Sequence, residues 1–284
     1  MANVALYIPI IRPDKKVKII WDLIIIFMIS FFFFVIPMQL CFDMFYDDEF
    51  EQLFKDYHLN SSLAFFIVFL PEIFLIFDTL LKFVTGYYEN GVVVEDRGLI
   101  IHHYIKKGLV FDIVSYLPVL AQSVVKTYFP KISYILKIFQ LLMFFKIKRV
   151  KIAVSNYEEI IASGGKHDYL LSACKLIYVI IFITHLNACF WHMTAFFYPG
   201  NCCTWLDSSN LRNSHWGVRY INSFYWSISM MATIGTGDKT SPQNNVEIVV
   251  STFIAVVSVF FFGYCINSMK QILDMMSKEE NDYK

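Results

Sequence analysis

Long apolar stretches separated by short polar ones dominate the chain, and each is close to the roughly 20 residues that carry a helix across a bilayer. The first covers residues 19–40 and includes four consecutive phenylalanines, Phe31 to Phe34, so it is apolar all round as a lipid-facing helix is. The second, 63–83, contains Pro71, Glu72, Asp78 and Lys82 and must turn one side to protein or water. A third covers 109–125 with Asp112 inside, a fourth 132–150 with Lys137, a fifth 170–197 and a sixth 246–269. Between the last two, 221–232 is apolar but too short to cross, which predicts a re-entrant helix enclosed by protein or lined by water. The pattern predicts an all-α membrane protein with six transmembrane helices.

Composition agrees. Of the 284 residues, 57% are hydrophobic and only 17% charged, too apolar for an ordinary soluble globule. The apolar excess makes membrane lipid the surrounding partner, while the 24 basic and 24 acidic residues cancel and remove any whole-chain attraction to nucleic acid or to anionic lipid. Six cysteines are too few for a disulfide-built scaffold.

Where the charges sit is more informative than their sum. Basic residues precede the first span (Arg12, Lys15, Lys16, Lys18), separate the second from the third (Lys82, Arg97, Lys106, Lys107) and follow the fourth (Lys146, Lys148, Arg149, Lys151, Lys166). The rule that positive flanks stay inside makes these sides cytoplasmic. The loop between the first two spans is acidic and carries a glycosylation sequon at Asn60, as an outer loop would. Both termini are then cytoplasmic, and the first span, too long for a cleavable signal peptide, would serve as its own insertion signal.

After the re-entrant helix comes Thr233-Ile234-Gly235-Thr236-Gly237-Asp238. Alternate glycines let the backbone adopt conformations closed to other residues and aim successive carbonyl oxygens at one axis. Four such strands, one per subunit, can replace an ion's hydration shell. No arrangement of nucleophile, base and oxyanion donors, no phosphate-binding glycine loop and no zinc spacing accompanies it, so neither an enzyme nor a bound cofactor is expected; the ligand of interest is a transported ion.

These segments together resemble the transmembrane part of a six-helix cation channel of the cyclic nucleotide-binding-domain superfamily, the ether-à-go-go, hyperpolarisation-activated and cyclic nucleotide-gated group. The resemblance runs through residues 13–22 (PDKKVKIIWD), 77–88 (FDTLLKFVTGYY), 108–118 (GLVFDIVSYLP), 184–191 (THLNACFW) and 220–238 (YINSFYWSISMMATIGTGD), with Glu247 opening the last span. It implies a cytoplasmic segment at 1–18, a voltage-sensor-like domain at 19–155, a short linker at 156–168 broken by Gly164 and Gly165, a pore domain at 169–274 and the start of a cytoplasmic linker at 275–284. The nucleotide-binding domain itself would lie beyond these residues.

The same resemblance assigns roles. Thr236 stands where potassium channels of this group carry an aromatic ring that braces the filter, so a potassium-preferring pore with reduced discrimination against sodium is implied. Trp226 stands where a pore-helix aromatic would hold that ring, and Tyr225 where it would bond Asp238. The fourth span resembles a depleted voltage sensor: counting in threes from Lys131 gives Tyr134, Lys137, Gln140, Met143, Lys146 and Arg149, with two interior positions neutral. On an α-helix the gap from Lys137 to Lys146 would be about 13 Å. Asp78 and Asp112 would be the counter-charges, and equally they fit static ion-pair anchors. Ile266, Met269 and Leu273, spaced helically at the inner end of the last span, would form the gate, or else pack against the fifth span.

His185 lies deep in the fifth span, where a neutral imidazole bonding a neighbouring helix accounts for it better than a metal site with His192. Cys41, Cys202 and Cys203 fall on the outer side, and adjacent cysteines leave any bridge to Cys41 undecided. Three readings stay open: a tetrameric potassium-preferring channel at the plasma membrane, homomeric or with related subunits; a non-selective channel of the cyclic nucleotide-gated type; and a non-conducting regulatory subunit that keeps the fold.

Overall fold

A computed structural model describes residues 9–42, 61–89, 92–128, 136–162, 168–198, 203–235 and 240–282. They fall into two compact units. The first takes the residues up to Ile36 and those up to Val154; the second takes the chain from Pro37 to the end of the same helix and everything from Ser155 onward.

The first unit opens with helix α1, Lys16–Phe42, about 40 Å long and so longer than a roughly 30 Å hydrocarbon core. The expectation that α1 is lipid-facing all round is corrected. Ile25, Ile29, Phe32, Phe33 and Ile36 are buried at helical spacing, while Ile20, Leu23 and Phe27 are exposed, so one stripe packs on protein. Helix α2, Ser61–Lys82, carries the acidic and basic groups of the second span. A hairpin follows, β1 (Tyr87–Glu89) antiparallel to β2 (Val92–Val94) with Glu89 opposite Val92. It is the only sheet among the described residues, and Ile11 extends it by a parallel bridge to Thr85.

Helix α3, Arg97–Tyr104, is capped by Asp96, whose carboxylate accepts the Leu99 N–H at 2.9 Å. A π-helical turn, Ile105–Leu109, joins it to α4, Val110–Tyr128. The fourth span is not one regular helix. Residues 136–139 are α-helical, Gln140–Lys146 form a 3₁₀ segment, and α5 runs over Ile147–Ala162, well past the predicted end at 150.

In the second unit, α6 (Asp168–Phe196) carries both the short helix α8 (Trp216–Met231) and the long helix α9 (Asn245–Asp282) packed against it. A one-turn helix, α7 (Trp205–Ser208), lies in the connection between α6 and α8. Its first turn closes by a capping box between Thr204 and Asp207. Trp191, Ala195, Trp205, Leu206, Trp226 and Ile254 form the core. At about 24 Å, α8 is too short to cross a bilayer, as a re-entrant helix must be. Helix α9 passes Gly263 without a break and reaches Asp282. Among the described residues α1, α6 and α9 are long and apolar enough to span a membrane.

Candidate ion path and intramembrane charge cluster

The charge cluster is built in the first unit. Asp78, on α2 and 1% exposed, receives both terminal nitrogens of Arg149 from α5, at 2.5 and 2.8 Å. Trp21 of α1 donates its indole N–H to the same carboxylate at 3.2 Å, stacks on Phe74 and meets Phe77 edge to face. Asp112, on α4, takes an ion pair from Lys146 at 3.2 Å, a short hydrogen bond from Lys82, and the Tyr104 hydroxyl at 2.8 Å. Lys82 also lies 3.4 Å from Asp78 and so bridges the two acids. Asp22, itself paired with Lys18, stands 3.7 Å from Arg149. Asp78 and Asp112 survive in such a place because opposite charges and hydrogen-bond donors surround them.

Local backbone makes these meetings possible. Tyr104 reaches Asp112 by laying its ring over the π turn. A Cβ at Gly108 would stand 2.8 Å from that ring, so the position admits only glycine without displacing the tyrosine. In the 3₁₀ segment residues three apart eclipse, and Lys137, Gln140, Met143 and Lys146 are accordingly all buried along one stripe. The 3₁₀ rise of about 2.0 Å also stretches the Lys137-to-Lys146 gap to about 17 Å, longer than a uniform α-helix gives.

Asp78 and Asp112 thus engage Arg149 and Lys146, with Lys82, Trp21 and Tyr104 as partners that the reading of the chain passed over. Lys137, expected to draw on these acids, sits farther along the stripe and is 4% exposed. Glu72 is also buried on α2, with its Oε2 accepting no hydrogen bond.

The candidate ion path lies in the second unit. Helix α8 ends in a Schellman motif: Ile234 N–H bonds the Ser229 carbonyl at 3.0 Å and Thr233 N–H the Met230 carbonyl at 3.1 Å. Thr233 occupies the left-handed position, φ +57°, where glycine is usual. Gly235 is left-handed too, at φ +81°. Thr236, Gly237 and Asp238 lie outside the described residues, as do Asn60, Cys202, Gly164 and Gly165.

The Trp226 ring is fully buried and stacks on Trp191 of α6, centroids 3.9 Å apart and planes within 4°, and so fastens α8 to α6. Tyr225, next in the helix, is 58% exposed in the single chain and its expected partner Asp238 is outside the description. His185 does bond a neighbouring helix, its Nδ1 lying 3.0 Å from the Tyr220 hydroxyl on α8. His192 stacks on Phe42 at 3.9 Å.

Glu247 ties the mouth of α9 to the connection, accepting the Trp205 N–H at 3.2 Å and the Gln243 N–H at 2.8 Å. Nearby, Arg212 donates to both oxygens of Asp207 and, with Thr204, holds that carboxyl down at about 2. Ile266, Met269 and Leu273 project from one side of α9 and are exposed in the single chain. Farther up the same helix Val249, Phe253, Val256 and Phe260 leave a long apolar face uncovered.

Cys41 is buried in a cluster with Phe42 and with Cys189 of α6, whereas Cys203 is exposed.

Comparison with known proteins gives the same picture. The chain is 27% identical over 259 residues to the potassium channel KAT1 of Oryza sativa subsp. japonica, covering 89% of this chain and 33% of that one. It is 25% identical over 268 residues to the potassium channel AKT2/3 of Arabidopsis thaliana, covering 93% and 31%. With the potassium channel AKT1 of the same plant it shares 28% over 206 residues, 70% and 23%. The chain therefore spans about a quarter to a third of the length of the curated relatives it matches. The model of the family described as "Ion transport protein" matches residues 18–281. The fold is that of an all-α membrane channel and not of an enzyme, and the chain belongs to the ion transport protein family.

Proposed function

We propose that the chain is the pore-forming subunit of a tetrameric, potassium-preferring cation channel with reduced discrimination against sodium and weak voltage sensitivity. The observation that carries this is the strand after α8. Thr233 and Gly235 both have positive φ, Ile234 between them does not, and Thr236-Gly237-Asp238 continue the same alternation of glycine. Alternating hand turns successive peptide units to one side, where an extended strand would alternate them, and a row of carbonyls on one side is what a dehydrated cation needs. The related proteins named potassium channels favour K+ as that cation.

One chain supplies one strand, so four must surround the axis, and the uncovered apolar face of α9 supplies contact surface for them. Reduced selectivity follows from Thr236: it has no ring, and Trp226, committed to Trp191, is not available to brace one. Residues 169–274 form the pore domain, gated by dewetting at Ile266, Met269 and Leu273. Residues 19–155 form the sensor and 156–168 the linker, with both termini cytoplasmic in the plasma membrane.

Weak voltage sensitivity follows from the stripe. Gln140 and Met143 are neutral, so few charges can cross the field. Each charge is worth about 2.3 kcal/mol per 100 mV, and one per subunit gives roughly 9 for a tetramer against roughly 28 for three. Replacing Thr236 by tyrosine tests the filter assignment. The substitution raises the potassium-to-sodium permeability ratio if this strand is the filter, and an unchanged ratio with intact current removes the assignment.

A further inference from the structure

One carboxylate serves the starts of two helices in the second unit. Glu247 is the third residue of α9, the position from which an acidic side chain ordinarily turns back to cover the N–H of the capping residue. That capping residue is Asn244, whose side-chain oxygen accepts the Glu247 N–H at 2.9 Å. The Glu247 carboxylate reaches past it. One oxygen accepts the Gln243 N–H at 2.8 Å, and the other accepts, at 3.2 Å, the N–H of Trp205, the first residue of α7. Asn244 makes a parallel link, its side-chain amide donating to the Cys203 carbonyl at 3.0 Å. The first N–H groups of a helix have no partner within it, so this fully buried carboxylate satisfies donors that would otherwise stand orphaned.

These contacts connect both legs of the loop that carries the strand after α8. Trp205 stacks on Trp191 of α6, centroids 6.0 Å apart and planes within 14°, and Trp191 stacks in turn on Trp226 of α8. Helix α8 leads into the strand, and Gln243 follows it. Glu247 therefore grips the outgoing leg at Gln243 and, through Trp205 and the three stacked indoles, the base of the incoming leg. The Arg212–Asp207 pair, by contrast, stays within the connection between α6 and α8.

We propose that Glu247 is a positioning residue for ion selection, fixing the separation of the two legs and so the width at which the strand's carbonyls face the ion, a role that rests on reading that strand as the ion path. A strand anchored at one end only can close around a smaller cation, whereas one anchored at both ends resists. The acidic form of the side chain is essential to this role. A glutamine has one acceptor oxygen and a donating amide, so Glu247→Gln sets a donor against one of the two buried backbone donors. Glu247→Asp keeps both acceptors on a stem one methylene shorter. The coupling is also reciprocal: if the clasp decides how K+ is held, bound K+ holds the clasp closed.

The test has two arms, both on the full chain. In the first, reversal potentials with potassium and sodium exchanged are recorded for wild type, Glu247→Gln, Glu247→Asp and Arg212→Gln. Glu247→Gln is expected to lower the potassium-to-sodium permeability ratio by roughly two- to ten-fold, the range that one lost hydrogen bond spans. Glu247→Asp falls between it and wild type, and Arg212→Gln keeps the wild-type ratio although it loosens the neighbouring connection. An unchanged ratio in Glu247→Gln, or an equal fall in Arg212→Gln, overturns the proposal while leaving the ion path in place. A wild-type current indifferent to potassium removes the ion path itself and the proposal with it, so the two failures are distinct. In the second arm, amide hydrogen exchange of the wild-type protein in detergent is compared in potassium and in N-methylglucamine. Peptides carrying the Trp205 and Gln243 N–H groups exchange more slowly in potassium, and equal exchange overturns the proposal even where Glu247→Gln fails to fold.

Discussion

Arg149 grips Asp78 with both guanidinium arms, at 2.5 and 2.8 Å, while the Trp21 indole donates to the same carboxylate. A two-armed contact to a carboxylate that is 1% exposed fixes the register of α5 against α2 more strictly than a point charge can. Removing Arg149 leaves that carboxylate with only the Lys82 ammonium at 3.4 Å and the Trp21 indole, a loss toward the low end of the roughly 3–5 kcal/mol of a broken buried pair. Arg149→Gln is therefore expected to lower the unfolding midpoint of the purified protein clearly, and Arg149→Lys to lower it less. The double variant Asp78→Asn with Arg149→Gln should recover part of the loss. Additive losses in that thermal-unfolding cycle would show that the pair is not coupled.

Lys137 and Lys146 are the two basic residues of the stripe, one on each side of the neutral pair Gln140 and Met143. With so few charges, Lys137→Gln should remove a large fraction of the charge moved per subunit. Gating-current integrals are expected to fall and the activation curve to become shallower. Unchanged charge movement would leave Lys137 a static member of the bundle.

The Trp226 ring, stacked at 3.9 Å on Trp191, holds α8 against α6. Trp226→Ala opens a cavity in the core of the second unit at a cost of about 3–5 kcal/mol. Trp226→Phe keeps part of the stack and should cost less. Denaturant unfolding followed by tryptophan fluorescence measures both, and equal stability for the alanine variant and wild type would contradict the packing described.

Asp207 sets a pH window in the α6–α8 connection. Arg212 lowers its folded value from an ordinary 3.8 to about 2. The folded state thus binds fewer protons there than the unfolded state. The stabilisation is complete above the ordinary carboxyl value and drains away as pH falls from about 4 through 2. The carboxylate is partly exposed and screened, so the effect is small. Asp207→Asn should be less stable than wild type above this window, and the difference should shrink within it. A difference that stays constant from neutral pH down to 2 would rule out the pair as its source.

Much of this architecture can be read from the chain because the bilayer imposes simple lengths. Apolar runs locate α1, α6 and α9, and the insert 221–232 marks α8 because it is too short to cross. Of the positions counted in threes along the fourth span, Gln140, Met143 and Lys146 fall on one buried line because the backbone over Gln140–Lys146 is 3₁₀, in which residues three apart coincide. What escaped depends on other helices. Nothing near Lys82, Trp21 or Tyr104 in the chain says that they converge on Asp78 and Asp112. Nor does the chain say that Trp226 stacks on Trp191 or that Cys41 is buried beside Cys189, since both depend on packing against α6. The hairpin was different, since Asn90-Gly91 between Tyr-Tyr-Glu and Val-Val-Val is a strong two-residue turn signal that went unused among the membrane runs.

The central claim is that the strand following α8 passes potassium in preference to sodium. Recording current from membranes that express the full chain, with potassium and sodium exchanged on one side, tests it most directly. The account predicts a reversal potential that moves with external potassium and only weakly with external sodium, less steeply than a perfectly selective pore would give. A reversal potential indifferent to external potassium would contradict it.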